Sequence, residues 1–116
     1  MLTETVAGRT YDYSHSVGRG AASGMGFNLA IDLALGQDDV VYVLSRGAEF
    51  VTAVPWDRTA RGSRVSTITI GAEPGDEEFI SEFGKYGSEE GQLIWPAGLA
   101  LDQQENIYVT DEWLNQ

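Results

Sequence analysis

The chain contains no cysteine, a single histidine and only 3 prolines among its 116 residues. Without cysteine it can form neither disulfides nor thiolate metal sites, and the usual His and Cys ligand sets for zinc are excluded. No apolar run approaches the roughly 20 residues that span a bilayer. The first residues, MLTETVAGR, have neither the basic region nor the apolar stretch of a signal peptide. The sequence therefore predicts a cytoplasmic protein with no membrane segment, metal or cofactor.

Basic residues are also scarce, because 7 Lys and Arg face 18 Asp and Glu, which gives a net charge of −11. The imbalance lies in the second part of the chain: residues 71–116 hold eleven acids and one lysine, a charge of −10. Such a field repels phosphate backbones and counts against nucleic acid as a partner. The simplest interpretation is a solvated acidic face that keeps the protein in solution.

What the sequence does contain is the pattern of short β-strands. Its 14 glycines punctuate runs of β-branched and aromatic residues in which apolar side chains alternate. These runs predict an all-β fold of seven strands with almost no helix. The predicted strands lie near residues 11–17, 31–35, 40–44, 65–70, 78–83, 98–101 and 106–110.

The chain also repeats itself at an offset of 66 residues. The identical pairs at this spacing, without a gap, are Gly18 and Gly84, Leu33 and Leu99, Ala34 and Ala100, Leu35 and Leu101, Gln37 and Gln103, Tyr42 and Tyr108, and Val43 and Val109. Each copy runs as a strand ending at a glycine, a loop, the strand LAL, a polar turn and a strand containing YV. The repeat predicts two copies of one supersecondary unit.

Two further candidate strands, RVSTITIG and EEFISEFG, follow the first LAL and VVYV pair. Together the four segments predict a four-stranded antiparallel sheet. Radially repeated four-stranded sheets are typical of β-propellers, whose blades take about 40 to 45 residues. The offset exceeds that length, and we assign the surplus to an insertion, residues 47–63, between the second and third strands of the first sheet.

The segment 82–116 contains an FG pair, a Gly-rich loop, GQ, a proline before an apolar strand that ends in Asp, and a final strand IYVTD. In this order of features it closely resembles the NHL repeat. The matching residues are Phe83, Gly84, Gly87, Gly91, Gln92, Pro96, Gly98, Leu99, Asp102, Asn106, Ile107, Tyr108, Val109 and Asp111. The first copy is degenerate, since Ala30 replaces the proline, Gly36 the strand-end Asp and Ser45 the final Asp.

The resemblance implies a six-bladed β-propeller built from antiparallel four-stranded blades. By that plan, residues 1–10 are an N-terminal tail. Residues 11–116 are a propeller segment of about one and a half blades plus an outer strand of the last blade. The chain is therefore expected to be the N-terminal part of a longer repeat protein. A partial ring leaves strand edges unpaired, which predicts self-association.

Catalytic motifs are weak throughout the sequence. Ser14 and His15 are adjacent, but neighbours in a strand point to opposite faces, so no nucleophilic pair is expected there. The Gly-rich loops lack the spacing of a phosphate-binding loop, and the carboxylates of residues 76–78 lack the calcium-loop pattern. Acids at strand ends can be ligands, general bases or turn caps. In the resembled repeat the acids at these two positions mostly accept hydrogen bonds from backbone N–H groups of tight turns, so Asp102 and Asp111 are expected to be caps.

Aromatic and charged residues in the connections are the best candidates for partner binding. In propellers generally, the connections into the inner strand and between the second and third strands open onto one face. The residues that this analogy places there are Trp56, Arg58 and Arg61 of the insertion and Trp95, Glu112 and Trp113 of the second copy. Tryptophan and arginine are typical interface anchors. An alternative, in which Trp95 and Trp113 pack between blades, remains open at this point.

Two classes of function remain after these exclusions. The first is a noncatalytic binding scaffold for a protein or a small-molecule ligand. The alternative is the N-terminal part of a six-bladed propeller enzyme, of lyase or lactonase type, whose active site would lie in blades outside this chain. The lack of a catalytic cluster favours the scaffold. RNA binding, as in some NHL propellers, is disfavoured by the charge of −11.

Overall fold

The structure is a computed structural model that describes residues 2–17, 27, 29–46 and 63–116. These residues form eight β-strands, all paired antiparallel, and none of them belongs to a helix that could cross a membrane. The strands are β1 (Thr3–Val6), β2 (Arg9–Asp12), β3 (Ala30–Leu35), β4 (Val40–Ser45), β5 (Arg64–Thr69), β6 (Glu78–Phe83), β7 (Pro96–Leu101) and β8 (Ile107–Asp111). The predicted all-β class is confirmed.

The central unit is a four-stranded antiparallel sheet in the order β3-β4-β5-β6. Strands β4 and β5 lie inside the sheet, and their β-branched side chains make them its most buried part. The buried apolar residues are Val41, Val43, Leu44, Val65 and Ile68. The predicted strand order is confirmed. The predicted insertion lies in the connection from β4 to β5, and its residues 47–62 lie outside the described residues.

One face of this sheet, which we call the leucine face, is only partly covered. Its buried cluster consists of Val41, Val43 and Ile68, packed with Val17, Phe27 and Phe79. Leu33 and Leu35 of the edge strand β3 pair with Val43 and Val41, so they point to the same face. These two leucines are 59% and 74% exposed. The leucine face is therefore open at its β3 edge.

The β7–β8 hairpin reproduces the β3–β4 hairpin at the offset of 66. The pairs are Ala30–Ser45, Asp32–Leu44, Leu33–Val43, Ala34–Tyr42 and Leu35–Val41 in the first, and Pro96–Asp111, Gly98–Thr110, Leu99–Val109, Ala100–Tyr108 and Leu101–Ile107 in the second. Both hairpins shift register after their first pair, at the same β-bulge. The sequence repeat is thus a repeat of register, bulge and turn length. The turns differ inside, because Val40 N donates to Gln37 O in the first and Glu105 N donates to Asp102 O in the second.

The second hairpin packs on the opposite face of the four-stranded sheet, which we call the tyrosine face after Tyr42. Tyr42 is half-buried, whereas its counterpart Tyr108 is 58% exposed. The leucines behave in the reverse way, because Leu99 is half-buried and Leu33 is exposed. The tyrosine face of the first repeat therefore covers the leucine face of the second.

Within the second hairpin, Asp102 organises the turn between β7 and β8. Its carboxylate accepts hydrogen bonds from the backbone N of Gln104 and of Asn106, each at 2.9 Å, and from Tyr108 Oη at 3.1 Å. The Asn106 side-chain amide donates to it as well, at 2.8 Å. These bonds, the Asn106 side-chain bond first, lower the pKa of Asp102. The turn-capping role predicted for this acid is confirmed.

The first hairpin has Gly36 where the second has Asp102, and Glu105 of the second hairpin supplies the missing carboxylate. Glu105 Oε1 accepts a hydrogen bond from the backbone N of Gln37, and its Oε2 accepts one from Tyr42 Oη at 3.4 Å. A Cβ at Gly36 would lie 2.6 Å from Glu105 Oε1. Burial, then the Glu105 charge and hydrogen bond, raise the pKa of Tyr42.

The N-terminal residues differ from the prediction of a tail over 1–10 followed by a strand over 11–17. Strands β1 and β2 form a hairpin there, and residues 13–17 belong to no strand. Its turn residues Ala7 and Gly8 have φ values of 52° and 78°, which suit a two-residue hairpin turn. Every strand residue of this hairpin is exposed, so it lacks the alternation of apolar side chains that predicts the other strands.

Candidate functional site

The open end of the β7–β8 hairpin is organised by Asp111, the last residue of β8, which is 3% exposed. Its Oδ2 accepts a hydrogen bond from the backbone N of Ile94 at 2.8 Å. Its Oδ1 accepts bonds from the backbone N of Trp113 at 3.1 Å and of Leu114 at 3.0 Å. The Trp95 N–H lies 3.2 Å from both oxygens. One carboxylate thus ties the segment entering β7 to the segment leaving β8.

These bonds decide the ionisation of Asp111. Burial by itself would raise its pKa, but the backbone N–H groups around it outweigh burial, and the pKa lies below the ordinary value of 3.8. The predicted turn-capping role of this acid is therefore confirmed. Its counterpart in the first repeat is Ser45, which is fully buried and whose hydroxyl has no hydrogen-bond partner in the described part of the chain.

Arg46 joins the first repeat to the entry of β7. Its guanidinium carbon lies 4.3 Å from the centroid of the Trp95 ring, and its Nε donates to the backbone O of Pro96 at 2.9 Å. A guanidinium at this distance from an indole face is attracted by the ring's negative face. Trp95 is half-buried. The Trp95 ring therefore packs against Arg46 of the first repeat, which is the kind of contact that the alternative describes.

The loop between β6 and β7 folds back on itself and positions Tyr86. Leu93 N donates to Lys85 O at 2.8 Å, and Gly87 N donates to Leu93 O at 3.1 Å. Gly87 has a φ of 154°, and a Cβ there would lie 1.8 Å from Gln92 Oε1. Only glycine fits this position without a rearrangement. The fold of the loop brings Tyr86 to the entry of β7.

The result is a cleft of about 460 Å³, the aromatic cleft, lined by Tyr86, Ile94, Trp95, Glu112 and Trp113. Trp113 is 73% exposed and Tyr86 is 43% exposed, so both rings stand at the surface. Glu112 is exposed as well. Its carboxylate forms no hydrogen bond or ion pair with any residue that the structure describes. The aromatic cleft thus offers three aromatic rings and an available carboxylate.

The aromatic cleft brings together three of the six predicted binding residues, namely Trp95, Glu112 and Trp113. The other three, Trp56, Arg58 and Arg61, lie outside the described residues. Sequence analysis missed Tyr86 and Arg46. The signal for Tyr86 is an aromatic residue inside a Gly-rich loop. The signal for Arg46 is its alignment with Glu112 at the offset of 66.

Ser14 and His15 require a correction. Ser14 Oγ and His15 Nδ1 lie 2.7 Å apart, although they were expected to point to opposite faces of a strand. The expectation was wrong because residues 13–17 form no strand, so strand alternation does not apply to them. His15 Nε2 is buried without a hydrogen-bond partner among the described residues. No described carboxylate orients the imidazole, and the pair lacks the third member of a triad.

Carboxylates of the turn before β6 bond to their own backbone. Asp76 Oδ2 accepts from the N of Glu73 at 3.2 Å, and Glu77 Oε2 accepts from the N of Gly75 at 2.7 Å. Over the described ranges, no group of three or more His, Cys, Asp or Glu side chains could hold a metal ion. The turn carboxylates therefore act as local caps.

Comparison with known proteins does not identify a family. A scan of the sequence against protein-family models gave no match, and a search of curated protein sequences found no similar protein. The NHL resemblance rests on the matching residues of the segment 82–116 and stays a prediction.

Proposed function

We propose that the chain is a segment of an NHL-type β-propeller that acts as a noncatalytic scaffold for binding a protein or a small ligand. The observation that carries the proposal is the repetition of one hairpin, with the same register, bulge and turn length, packed face to face. Propellers consist of such repeated sheets, each in contact with its neighbours.

The chemistry of the described residues supports binding rather than catalysis. Asp102 and Asp111 use their carboxylates to hold backbone turns. By contrast, Tyr86 and Trp113 are exposed around the open aromatic cleft. Clefts with apolar walls and a few polar groups are the usual form of binding sites.

The contact between the two repeats also supports a second copy of the chain as a partner. Leu33 and Leu35 leave a leucine face open on the first repeat, and Tyr108 leaves a tyrosine face open on the second. These are the two halves of the contact that already joins the repeats. The open leucine face of one copy therefore fits the open tyrosine face of another. Such a head-to-tail contact can extend from copy to copy.

Cysteine crosslinking tests this contact, because the chain has no cysteine of its own. Glu105 approaches Tyr42 inside the chain, and the equivalent positions between two copies are Asp39 and Tyr108. We expect Asp39→Cys protein mixed with Tyr108→Cys protein to form mixed dimers with a short bismaleimide. The matched control is Tyr11→Cys, at an exposed tyrosine of β2. Equal crosslinking of Asp39→Cys to both partners, or none to either, would contradict the stacking.

An assay for turnover tests the noncatalytic part of the proposal. The full chain is incubated with a panel of simple lactones, and ring opening is followed by pH indicator. We expect no rate above buffer, because the hydrogen-bonded pair of Ser14 and His15 has no described carboxylate to orient its imidazole. Ring opening that follows the protein through purification, and is lost in Ser14→Ala, would assign catalysis to the Ser14 and His15 pair.

A further inference from the structure

We propose that the aromatic cleft binds the side chain of an arginine presented by an extended basic peptide of a partner protein. The inference rests on the proposed scaffold function and names the chemistry of the partner. It combines the rings, the carboxylate and the charge around the cleft.

The rings are suited to a cation. Trp95, Trp113 and Tyr86 line one cleft, and indole and phenol faces attract ammonium and guanidinium groups within about 6 Å of their centroids. Trp113 and Tyr86 are too exposed to serve mainly as core. Three such rings around one space are the arrangement by which proteins hold organic cations.

The structure already contains one arginine in such a contact. The Arg46 guanidinium lies 4.3 Å from the Trp95 centroid and is held there by its bond to Pro96 O. Arg46 does not line the aromatic cleft, so it covers a different part of Trp95. The internal contact is an example of the recognition that we propose for the exposed rings of Tyr86 and Trp113.

Glu112 favours arginine over an uncharged guest. It lines the cleft, and in the described part of the chain its carboxylate has no partner. An uncharged guest would remove water from that carboxylate without compensation. A guanidinium can give a carboxylate two parallel hydrogen bonds and stack on an aromatic ring at the same time, which an ammonium cannot do.

The charge around the cleft favours a basic peptide. Residues 71–116, which contain every residue of the cleft, carry eleven acids and the single base Lys85, a charge of −10. Such a field attracts cationic segments and accelerates their association. The cleft, at about 460 Å³, falls within the roughly 300–1,000 Å³ typical of small ligand sites. It therefore admits a side chain of an extended peptide rather than a folded element.

The test uses three fluorescein-labelled peptides of Gly and Ser that differ only at two positions, which hold arginine, lysine or citrulline. Binding to the full chain is followed by fluorescence anisotropy. Citrulline keeps the shape of arginine but is uncharged. We expect the arginine peptide to bind about tenfold more tightly than the citrulline peptide, and the lysine peptide to lie between them. Equal binding of all three peptides, or of arginine and lysine, would overturn the assignment of arginine.

Matched variants locate the binding. Trp113→Ala and Glu112→Gln should each weaken binding of the arginine peptide about fivefold to tenfold. Tyr11→Ala and Glu4→Gln, exposed residues of the N-terminal hairpin, remove a similar ring and the same charge and should change it less than twofold. If the control variants weaken binding as much, the peptide's affinity does not depend on the cleft, and the inference is wrong.

Circular dichroism melts of all four variants show whether they fold. Trp113 and Glu112 are exposed, so little change is expected. Absence of any peptide binding by folded wild-type protein overturns this inference alone, because the crosslinking between Asp39 and Tyr108 does not involve the cleft. Failure of that crosslinking with intact peptide binding would instead overturn the stacking and leave the cleft assignment in place.

Discussion

Glu105 and Tyr42 belong to different repeats, yet the Glu105 carboxylate lies where the first repeat would hold a strand-end aspartate of its own. In the second repeat Asp102 and Tyr108 form the equivalent pair inside one hairpin. The degenerate first copy is therefore not simply a weakened one. Its missing acid is replaced by a neighbour, and the replacement also links the repeats.

The first prediction is that Gly36 and Glu105 are energetically coupled. Glu105→Ala removes the link and should lower the free energy of unfolding by about 1 kcal/mol. Gly36→Asp should also destabilise, because its Cβ would lie 2.6 Å from Glu105 Oε1 and a second carboxylate would stand beside the first. The double variant should lose about 1–2 kcal/mol less free energy of unfolding than the two single variants lose together, since the new aspartate replaces the lost glutamate. Urea unfolding measures all three.

This comparison of the two single variants with the double variant has an internal control. Ala and Glu at position 105 share the cost of the left-handed backbone, φ 59°, so this cost cancels in the comparison. Additive effects of the two changes would show that Glu105 does not occupy the place of the missing aspartate.

The second prediction concerns Asp111 at neutral pH. Asp111→Asn should lower the free energy of unfolding by about 1–3 kcal/mol, because a buried carboxylate that accepts several backbone N–H bonds is replaced by an amide with a single acceptor oxygen. Asp38→Asn, at an exposed turn residue with φ 55°, is the control and should have little effect. Thermal melts compare the two variants. A larger loss of stability in Asp38→Asn than in Asp111→Asn would show that Asp111 does not organise this end of the hairpin.

The third prediction follows the same group with pH. The pKa of Asp111 is lower in the folded than in the unfolded chain, whose value is about 3.8. Its stabilisation is therefore complete above the unfolded value and is lost as pH falls through the folded one. Wild-type protein should lose stability below about pH 4, and Asp111→Asn should lose less over the same range. Parallel curves would contradict this assignment. Asp102, whose pKa is also lowered, adds a dependence of the same sign in both proteins.

The fourth prediction concerns self-association. Replacement of both Leu33 and Leu35 by serine should reduce self-association without unfolding the chain, because both side chains are more than half exposed. Leu99→Ser changes the equivalent residue of the second repeat, which is half-buried against the first, and should lower the melting temperature instead. Sedimentation velocity over a concentration series measures the first outcome, and a thermal melt measures the second. If the wild-type chain remains monomeric at all concentrations, the open leucine face is not an interface between copies.

The fifth prediction concerns Arg46. Arg46→Lys keeps the charge but loses the planar group over Trp95 and the Nε bond to Pro96 O, and should cost about 1 kcal/mol. Arg9→Lys on exposed β2 is the matched control. Urea unfolding followed by tryptophan fluorescence measures both. Equal stability of the two variants would show that the Arg46 guanidinium contributes nothing beyond its positive charge.

The strands and the repeat were predictable because both depend on the spacing of residues along the chain. Successive side chains along residues 33–35 and 99–101 point to alternate faces, so both leucines of each run lie on one face. The register of the whole hairpin follows once one pair is placed. The β1–β2 hairpin was missed because both of its faces are exposed, which leaves no apolar pattern to read. Its one signal is the turn, where Gly8 follows Ala7 at positive φ.

The site was predictable only in part. Trp95, Glu112 and Trp113 follow from the ends of strands, which gather at one end of a hairpin. Tyr86 joins them through a loop whose path depends on Gly87 and cannot be read from periodicity. The predictions for the insertion, including a binding role for Trp56, concern residues outside the described ranges and stay predictions.

The bond from Leu99 N to Asp32 Oδ2, at 2.8 Å, gives one backbone amide an acceptor in the other repeat. Amides inside the β7–β8 ladder exchange with solvent only when their own hairpin opens. The Leu99 amide becomes free as soon as the repeats separate, even if both hairpins persist. Its exchange rate in deuterated water therefore measures the free energy of undocking. The difference from its ladder neighbours tells whether the two repeats unfold as one cooperative unit or as two.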